Sequence, residues 1–129
     1  MSVDVVKQMF EAFGEGNLPR MLELVSEDVQ WDHRGPPGPP LNKLFHGKDG
    51  VAEFFKILGD TEEALKFDVG EFFESGNKVV VLGRYRFRVF ETGKEWESDY
   101  AMIYTVEGGL VKGWKTIHDM TAEVEAYRA

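Results

Sequence analysis

The sequence predicts one α+β domain over residues 1–129, with three helices in its first half and a mostly antiparallel sheet in its second. Two observations carry this prediction. Apolar residues recur with helical spacing in three segments before residue 60, and from about residue 67 they alternate with polar residues as in strands. With 129 residues, 43% of them hydrophobic, the chain can form one core and is too short for two.

Three segments place apolar residues at positions i, i+3, i+4 and i+7, which share one face of a helix. The stripes are Val6-Met9-Phe10-Phe13, Leu18-Met21-Leu22-Val25 and Val51-Phe54-Phe55-Leu58. The segment "GEGN" ends the first helix, and Asn17 is a good N-cap for the second, where Pro19 is tolerated in the first turn. Asp49 lies where a negative side chain satisfies the first N–H groups of the third helix, which Gly59 ends.

Four strand-like runs follow, separated by turn signals at residues 75–77, 92–93 and 108–109. On the second run, the side chains of Arg84, Arg86 and Arg88 face away from the aromatic side. If residues 92–93 form a two-residue turn, Arg88 lies opposite Glu97 and Arg86 opposite Asp99. Ion pairs would then neutralise the arginines, which argues against a nucleic-acid-binding stripe.

Two further runs place an indole and an imidazole on the same side of a strand. In "DVQWDH" the residues Trp31 and His33 share a face, and in the last strand Trp114 shares a face with Thr116 and His118. We expect these sides to face the helices. The proline-rich segment "RGPPGPP" that follows His33 cannot continue a sheet, so it forms a stiff loop.

Composition excludes several classes of function. A formal net charge of −8 repels nucleic acid, and the lack of cysteine removes thiolate metal sites and suits a reducing cytoplasm. No apolar run approaches the roughly 18 residues of a membrane span, so we expect a soluble cytoplasmic protein. His33, His46 and His118 show no metal-ligand spacing, with His46 in the loop before the third helix. No phosphate-binding loop occurs, so the sequence predicts neither metal nor cofactor.

The order of elements resembles the nuclear transport factor 2-like superfamily, in its branch of SnoaL-like polyketide cyclases and ketosteroid isomerase relatives. Three sequence segments show the resemblance: "VKQMFEAFGEGNLPRMLELVSEDVQW", "FHGKDGVAEFF" and "VVVLGRYRFRVFETGKEWESDYAMIYTVEGGLVKGW". The resemblance covers nearly the whole chain. The resemblance implies a cone-shaped, curved, mostly antiparallel sheet (a cystatin-like α+β roll) wrapped around the helices and a deep apolar pocket. It also implies a homodimer through the outer sheet face, and it places residues 36–40 at the rim of the pocket.

A residue-by-residue comparison with two enzymes of this superfamily argues against their activities in this chain. Ketosteroid isomerase uses an Asp base with a Tyr and a protonated Asp as oxyanion donors. The two donor positions fall on Met9 and Met102, and a thioether cannot donate a hydrogen bond. Limonene epoxide hydrolase relatives carry an inward acid on the last strand, where this chain has Thr116. Neither mechanism is therefore expected here.

The remaining candidates are inward imidazoles in an aromatic cavity. We predict His33 as general base or acid, with His118 and Asp119 as its partners, the last by resemblance to a late acid of SnoaL-like cyclases. Tyr85, Tyr100 and Tyr104 are candidate hydroxyl donors to an oxyanion. The predicted substrate-binding residues are Met9, Phe13, Trp31, Phe54, Leu58, Tyr85, Phe87, Trp96, Tyr100, Met102, Trp114 and Thr116.

Two functions fit these residues. The first is a cofactor-independent isomerase, cyclase or lyase that abstracts a proton next to a carbonyl on a small, apolar, ring-bearing substrate. The second is a non-enzymatic module of the same fold that binds an apolar ligand or dimerises, in which the histidines and aromatic residues are ordinary core.

Overall fold

The computed structural model describes residues 2–129, which fold into four helices and one six-stranded sheet. The elements are α1 (Ser2–Gly14), α2 (Leu18–Glu23), β1 (Val25–Asp32), β2 (Leu44–His46), α3 (Gly47–Thr61), β3 (Glu62–Ser75), β4 (Lys78–Val89), β5 (Glu95–Glu107), β6 (Leu110–Ile117) and α4 (Met120–Ala126). The strand order is β2-β1-β6-β5-β4-β3, and only β1 and β6 run parallel. The predicted α+β class with helices in the N-terminal half and a four-strand meander is confirmed.

The three predicted helices form close to their predicted bounds. Asn17 caps α2 by accepting a hydrogen bond from the backbone N–H of Arg20, as its position predicts. The second stripe is one turn too long, because Val25 is the first residue of β1, where it is fully buried and pairs with Val111. The third helix runs past Gly59 to Thr61, and His46 precedes it at the end of the short strand β2 rather than in a loop.

The hairpin between β4 and β5 differs in register from the prediction. Five residues, 90–94, connect the strands instead of two, so Arg86 lies opposite Glu97 and Arg84 opposite Asp99. The pairing moves by two residues, which keeps every side chain on its predicted face because the side-chain period of a strand is two. Arg84 forms exposed ion pairs with Asp99 at 3.0 Å and with Glu97 at 3.5 Å.

The inner face of the sheet packs against α1, α2 and α3. Fully buried valines from helix and strand meet there, among them Val6 on α1, Val51 on α3 and Val81 on β4. The sheet is not closed, and β3 bends where its pairing with β4 shifts between Val69 and Phe72. Gly83 faces this bend on β4, and a Cβ there would lie 2.2 Å from a backbone oxygen of β3, so only glycine fits.

A fourth helix, α4, was not predicted. Asp119 is its N-cap, since the Asp119 side chain accepts a hydrogen bond from the backbone N–H of Ala122 at 3.1 Å. Thr92 in the β4–β5 loop donates to the carbonyl of Ala126 and holds the C-terminal end. The helix therefore packs against β5 and the β4–β5 loop. Among residues 2–129, no helix is both long and apolar enough to cross a membrane.

Candidate functional site

A cavity of about 70 Å³ lies between the inner face of the sheet and the helices. It is several times smaller than the roughly 300–1,000 Å³ of common ligand pockets. Partly exposed side chains of α1, α3 and β3, including Phe13, Phe55 and Phe67, lie where the cavity approaches the surface. The remaining lining residues are Met9, Phe10, Met21, Trp31, His33, Leu41, Phe54, Leu58, Glu62, Tyr85, Phe87, Trp96, Met102, Tyr104, Trp114, Thr116, His118 and Glu123.

His33 presents a defined ring nitrogen to this cavity. Its ring lies just after β1, is 6% exposed, and has Nδ1 at 3.0 Å from Oδ1 of Asn42. The amide nitrogen of Asn42 donates to the carbonyl of Pro36 at 2.9 Å, so its oxygen is left to accept. Nδ1 of His33 therefore carries the proton and Nε2 carries the lone pair. Burial lowers the pKa of His33, which favours this neutral form.

A chain of hydrogen bonds runs from Glu123 through His118 to Tyr85. Nε2 of His118 lies 3.1 Å from Oε1 of Glu123, and both side chains are only 1% exposed. Because a carboxylate oxygen accepts, Nε2 of His118 donates, and its Nδ1 is free to accept from the hydroxyl of Tyr85. That hydroxyl also lies 3.2 Å from the hydroxyl oxygen of Thr116. Burial raises the pKa of Tyr85, so the phenol keeps its proton as a donor.

The two histidines meet in space although 85 positions separate them. Their ring centroids lie 5.4 Å apart in an edge-on arrangement. The parallel pairing of β1 with β6 aligns Trp31 with Trp114, whose rings stack at 4.5 Å, and each histidine follows the end of its strand. The predicted pairing of the imidazoles thus follows from strand order.

Glu62 forms a second buried polar group on the cavity wall. Its Oε1 accepts from Nε1 of Trp96 at 2.8 Å, and its Oε2 accepts from the hydroxyl of Tyr127 at 2.6 Å. Burial raises the pKa of Glu62, and the two hydrogen bonds oppose that shift. Since Tyr127 follows α4, this carboxyl group links the start of β3 to the C-terminal helix.

Two predicted site residues lie away from the cavity. Asp119 has an exposed side chain that caps α4, because β6 ends at Ile117 and the chain turns outward into the helix. Glu123, one turn into α4, is the carboxylate beside His118. Tyr100 packs behind Tyr85 with ring centroids 4.6 Å apart and donates to the carbonyl of Asp68. The other predicted catalytic and substrate-binding residues line the cavity.

Neither buried acid, Glu62 or Glu123, was predicted from the sequence. Glu62 directly follows α3 and precedes the strand alternation that begins at about residue 67, and α4 is only seven residues long, with no apolar stripe to mark its buried face. A helix-start signal was present, because Asp119 precedes "MTAEVEA". Asn42 and Leu41 were also not predicted. The proline-rich loop approaches the cavity through Leu41, whereas residues 36–40, which were expected at the rim of the pocket, do not line it.

Comparison with known proteins agrees with this fold. The chain is 28% identical to an uncharacterised protein of Mycobacterium tuberculosis over 98% of its own length and 95% of the relative's. It superposes with a TM-score of 0.90 on a nuclear transport factor 2-like protein of Burkholderia xenovorans, which is 26% identical, with 98% and 95% of the two chains covered.

A more distant structure shares the fold at lower identity. This protein, described as a SnoaL-like polyketide cyclase of Mesorhizobium loti, is 17% identical, with a TM-score of 0.75 and coverage of 91% of this chain and 98% of the other. The family profile of the SnoaL-like domain matches residues 6–114, which is most of the chain. The protein therefore belongs to the SnoaL-like domain family and has the nuclear transport factor 2-like fold.

Proposed function

We propose that the protein binds a small, apolar carbonyl compound and moves a proton at the carbon next to the carbonyl. The observation that carries this proposal is the lone pair on Nε2 of His33, which faces an aromatic cavity while Asn42 holds the proton on Nδ1. A neutral imidazole in a fixed tautomer is a suitable general base for an enolisable carbon.

The proton transfer uses two groups of the cavity. Nε2 of His33 takes the proton, the C–H bond breaks, and its electron pair forms an enolate on the carbonyl oxygen. When substrate binds, the single hydroxyl proton of Tyr85 turns from Nδ1 of His118 to that oxygen, while the hydroxyl of Thr116 donates to the phenol oxygen and holds it in place. Return of the proton to another carbon gives an isomerisation. Attack of the enolate carbon on a second carbonyl gives an aldol cyclisation, in which the new alkoxide takes the proton back from Nε2 of His33.

A ring-bearing substrate requires the aromatic side chains at the cavity mouth to move apart. A volume of about 70 Å³ is too small for a ring with substituents. Phe13 and Phe67, with ring centroids 5.1 Å apart, are partly exposed and can rotate outward at lower cost than the buried rings beneath them. We therefore place substrate admission between α1 and β3.

The same small volume favours a second candidate function. If the cavity stays filled by its own side chains, the protein is a non-enzymatic module, and His33 and His118 are hydrogen-bonded core residues. This candidate predicts that no ring-bearing ketone or hydrocarbon alters the protein's melting temperature or its NMR spectrum. Selective shifts of resonances from Phe13, Phe67 and His33 on addition of such a compound would argue against it.

For both candidate functions we propose that the protein is cytoplasmic, because a chain without cysteine suits a reducing compartment. We also propose that it forms a homodimer through the outer face of the sheet. That face exposes large apolar side chains, among them Phe73 at 49% and Ile117 at 51% exposed, beside the ion pairs of Arg84 and Arg86. Sedimentation at micromolar concentration should give the dimer mass, and Ile117→Lys should shift it to the monomer. A wild-type monomer would overturn this assembly.

Hydrogen–deuterium exchange at carbon tests the proposed chemistry without knowledge of the final product. A panel of cyclic ketones is incubated with the protein in D₂O, and loss of the α-proton signals is followed by NMR. We expect His33→Gln to slow exchange by about 100-fold or more. His46→Gln, an exposed histidine before α3, is the matched control and should leave the rate unchanged. Equal exchange rates for wild type and His33→Gln would remove His33 as the base.

A further inference from the structure

Three potential metal-ligating side chains converge at the polar end of the cavity. Each of His33, His118 and Glu123 offers one ligand atom, and these atoms lie within 4.8 Å of one another. The residues come from three places in the chain: the end of β1, the end of β6 and the middle of α4. Their convergence is therefore a property of the folded chain and not of a sequence motif.

In both imidazoles the nitrogen Nδ1 is hydrogen-bonded to a neighbouring side chain, as the non-ligating nitrogen of a metal-binding histidine usually is. Nδ1 of His33 is hydrogen-bonded to Asn42, and Nδ1 of His118 to the hydroxyl of Tyr85. Such outer contacts fix the ring orientation and direct the opposite nitrogen, Nε2, to a metal. In His118 the ring proton moves from Nε2 to Nδ1 when a metal binds, and Nδ1 then donates to the hydroxyl oxygen of Tyr85. Because Nδ1 of His33 carries the proton that Asn42 accepts, the lone pair of this imidazole lies on Nε2, where a metal can bind it.

Glu123 has a carboxylate oxygen that nothing in the described chain satisfies. Its Oε1 contacts His118, whereas Oε2 is buried without a hydrogen-bond partner among residues 2–129. A buried carboxylate oxygen without a partner is costly, and a cation is the partner with the largest effect on that cost. The oxygen thus points independently to a positively charged occupant.

We propose that His33, His118 and Glu123 bind one divalent transition-metal cation through two imidazole nitrogens and a carboxylate. The spacing between His118 and Glu123, 3.1 Å, matches the roughly 3.0–3.4 Å between neighbouring ligands at metal–ligand distances of 2.0–2.1 Å. The two nitrogen ligands select Zn²⁺, Co²⁺ or Fe²⁺ over Mg²⁺ and Ca²⁺, which require oxygen. The remaining coordination positions face the cavity, where water or a ligand oxygen fits.

This site is independent of the proposed function, because binding requires no turnover. The two are linked in one respect: a bound metal occupies the lone pair of His33 that the proton transfer needs. Metal is therefore expected to slow the exchange of ketone α-protons, and a chelator to restore it. A failure of the proposed chemistry would leave metal binding intact, and the reverse also holds.

Cobalt binding tests the site directly. Chelator-treated protein is titrated with Co²⁺ while visible absorption is recorded, and Zn²⁺ binding is measured by calorimetry. We expect one ion per chain, a visible Co²⁺ band that Zn²⁺ removes, and at least a 100-fold loss of affinity in His33→Gln, His118→Gln and Glu123→Gln. Asn42→Ala, which changes only an outer contact, should weaken binding by about 10–100-fold.

The controls are His46→Gln and Glu125→Gln, which change exposed residues of the same types and should bind as wild type does. Circular dichroism of every variant establishes that it is folded. His33→Gln provides the decisive measurement if the variants of α4 or β6 do not fold, since His33 follows β1 and lies outside the strand ladder. Absence of a visible band in wild type, or affinity unchanged in His33→Gln, would overturn the proposal.

Discussion

His118 and Glu123 are joined by a 3.1 Å contact between two side chains that are each 1% exposed, and this contact fastens α4 to the end of β6. The four residues between them, 119–122, include the turn from the sheet into the helix. The pair therefore has a structural role in closing the cavity as well as the chemical roles proposed above.

Substitution of Glu123 should separate the effect of its negative charge from that of its packing and hydrogen bond. Glu123→Ala removes a buried side chain and the acceptor of His118, so the free energy of unfolding should fall by about 2–4 kcal/mol. Glu123→Gln keeps the shape and an accepting oxygen, and it should lose less than about 1.5 kcal/mol. Urea denaturation measures both, with exposed Glu125→Gln as the control. Equal losses for Ala and Gln would show that neither the packing of this side chain nor its accepting oxygen stabilises the fold.

Asn42 should determine the tautomer of His33. In wild type, the nitrogen chemical shifts of the imidazole should report a proton on Nδ1 and a lone pair on Nε2, because Oδ1 of Asn42 can only accept. In Asn42→Ala the ring loses that acceptor, so a mixture of tautomers and a lower α-proton exchange rate are expected. Asn77→Ala, in the exposed β3–β4 turn, is the control. A proton on Nε2 in wild type would contradict this assignment.

Glu62 should make stability depend on pH. Because burial raises the pKa of Glu62 above 4.5 in the folded state, the folded protein holds this proton more tightly than the unfolded chain does. Wild-type stability relative to Glu62→Gln should therefore be highest below the ordinary carboxyl pKa, fall as pH rises, and level off above the folded pKa. Each pKa unit of the shift corresponds to about 1.4 kcal/mol.

Denaturation of both proteins at intervals from pH 4 to pH 8 measures this difference. Gln can still accept from Trp96 and can donate to the hydroxyl oxygen of Tyr127, so the variant keeps the buried contacts. A relative stability that rises with pH would mean that the hydrogen bonds outweigh burial, and that the folded carboxylate is favoured.

Phe67 should limit the size of the ligand. Its ring packs against Phe13 and Tyr85 at the partly exposed mouth of the cavity, so Phe67→Ala should admit larger ring ketones, measured as tighter binding or faster α-proton exchange. The stability loss should be below the roughly 3–5 kcal/mol of a fully buried Phe. Phe73→Ala, on the exposed outer face of β3, is matched in chemistry and should leave the ligand size limit unchanged, whatever its effect on the proposed dimer. Unchanged ligand size limits would place the mouth elsewhere.

Local patterns were sufficient for most of the fold. Helix α1 was predicted from the spacing of Val6, Met9, Phe10 and Phe13, and the start of α2 from its cap at Asn17. Both signals depend only on residues close in the chain, so the local sequence is sufficient to define them. Alternation on β1 and β6 likewise shows that Trp31 and His33, or Trp114 and His118, share a side. The hairpin register was less determined, because loops of two and five residues give the same alternation of faces and differ only in pairing.

The sequence by itself determined the α+β class, the inward faces of the strands, and the two imidazoles as candidates, because period and propensity act between residues close in the chain. Only the tertiary structure decided that β1 lies parallel to β6, so that His33 meets His118, and that α4 brings in Glu123 where Asp119 was expected. Those contacts join residues that are far apart in the chain or that lie on the unpredicted helix α4. Side-chain packing in three dimensions brings these residues together, and the same packing leaves a cavity of only about 70 Å³.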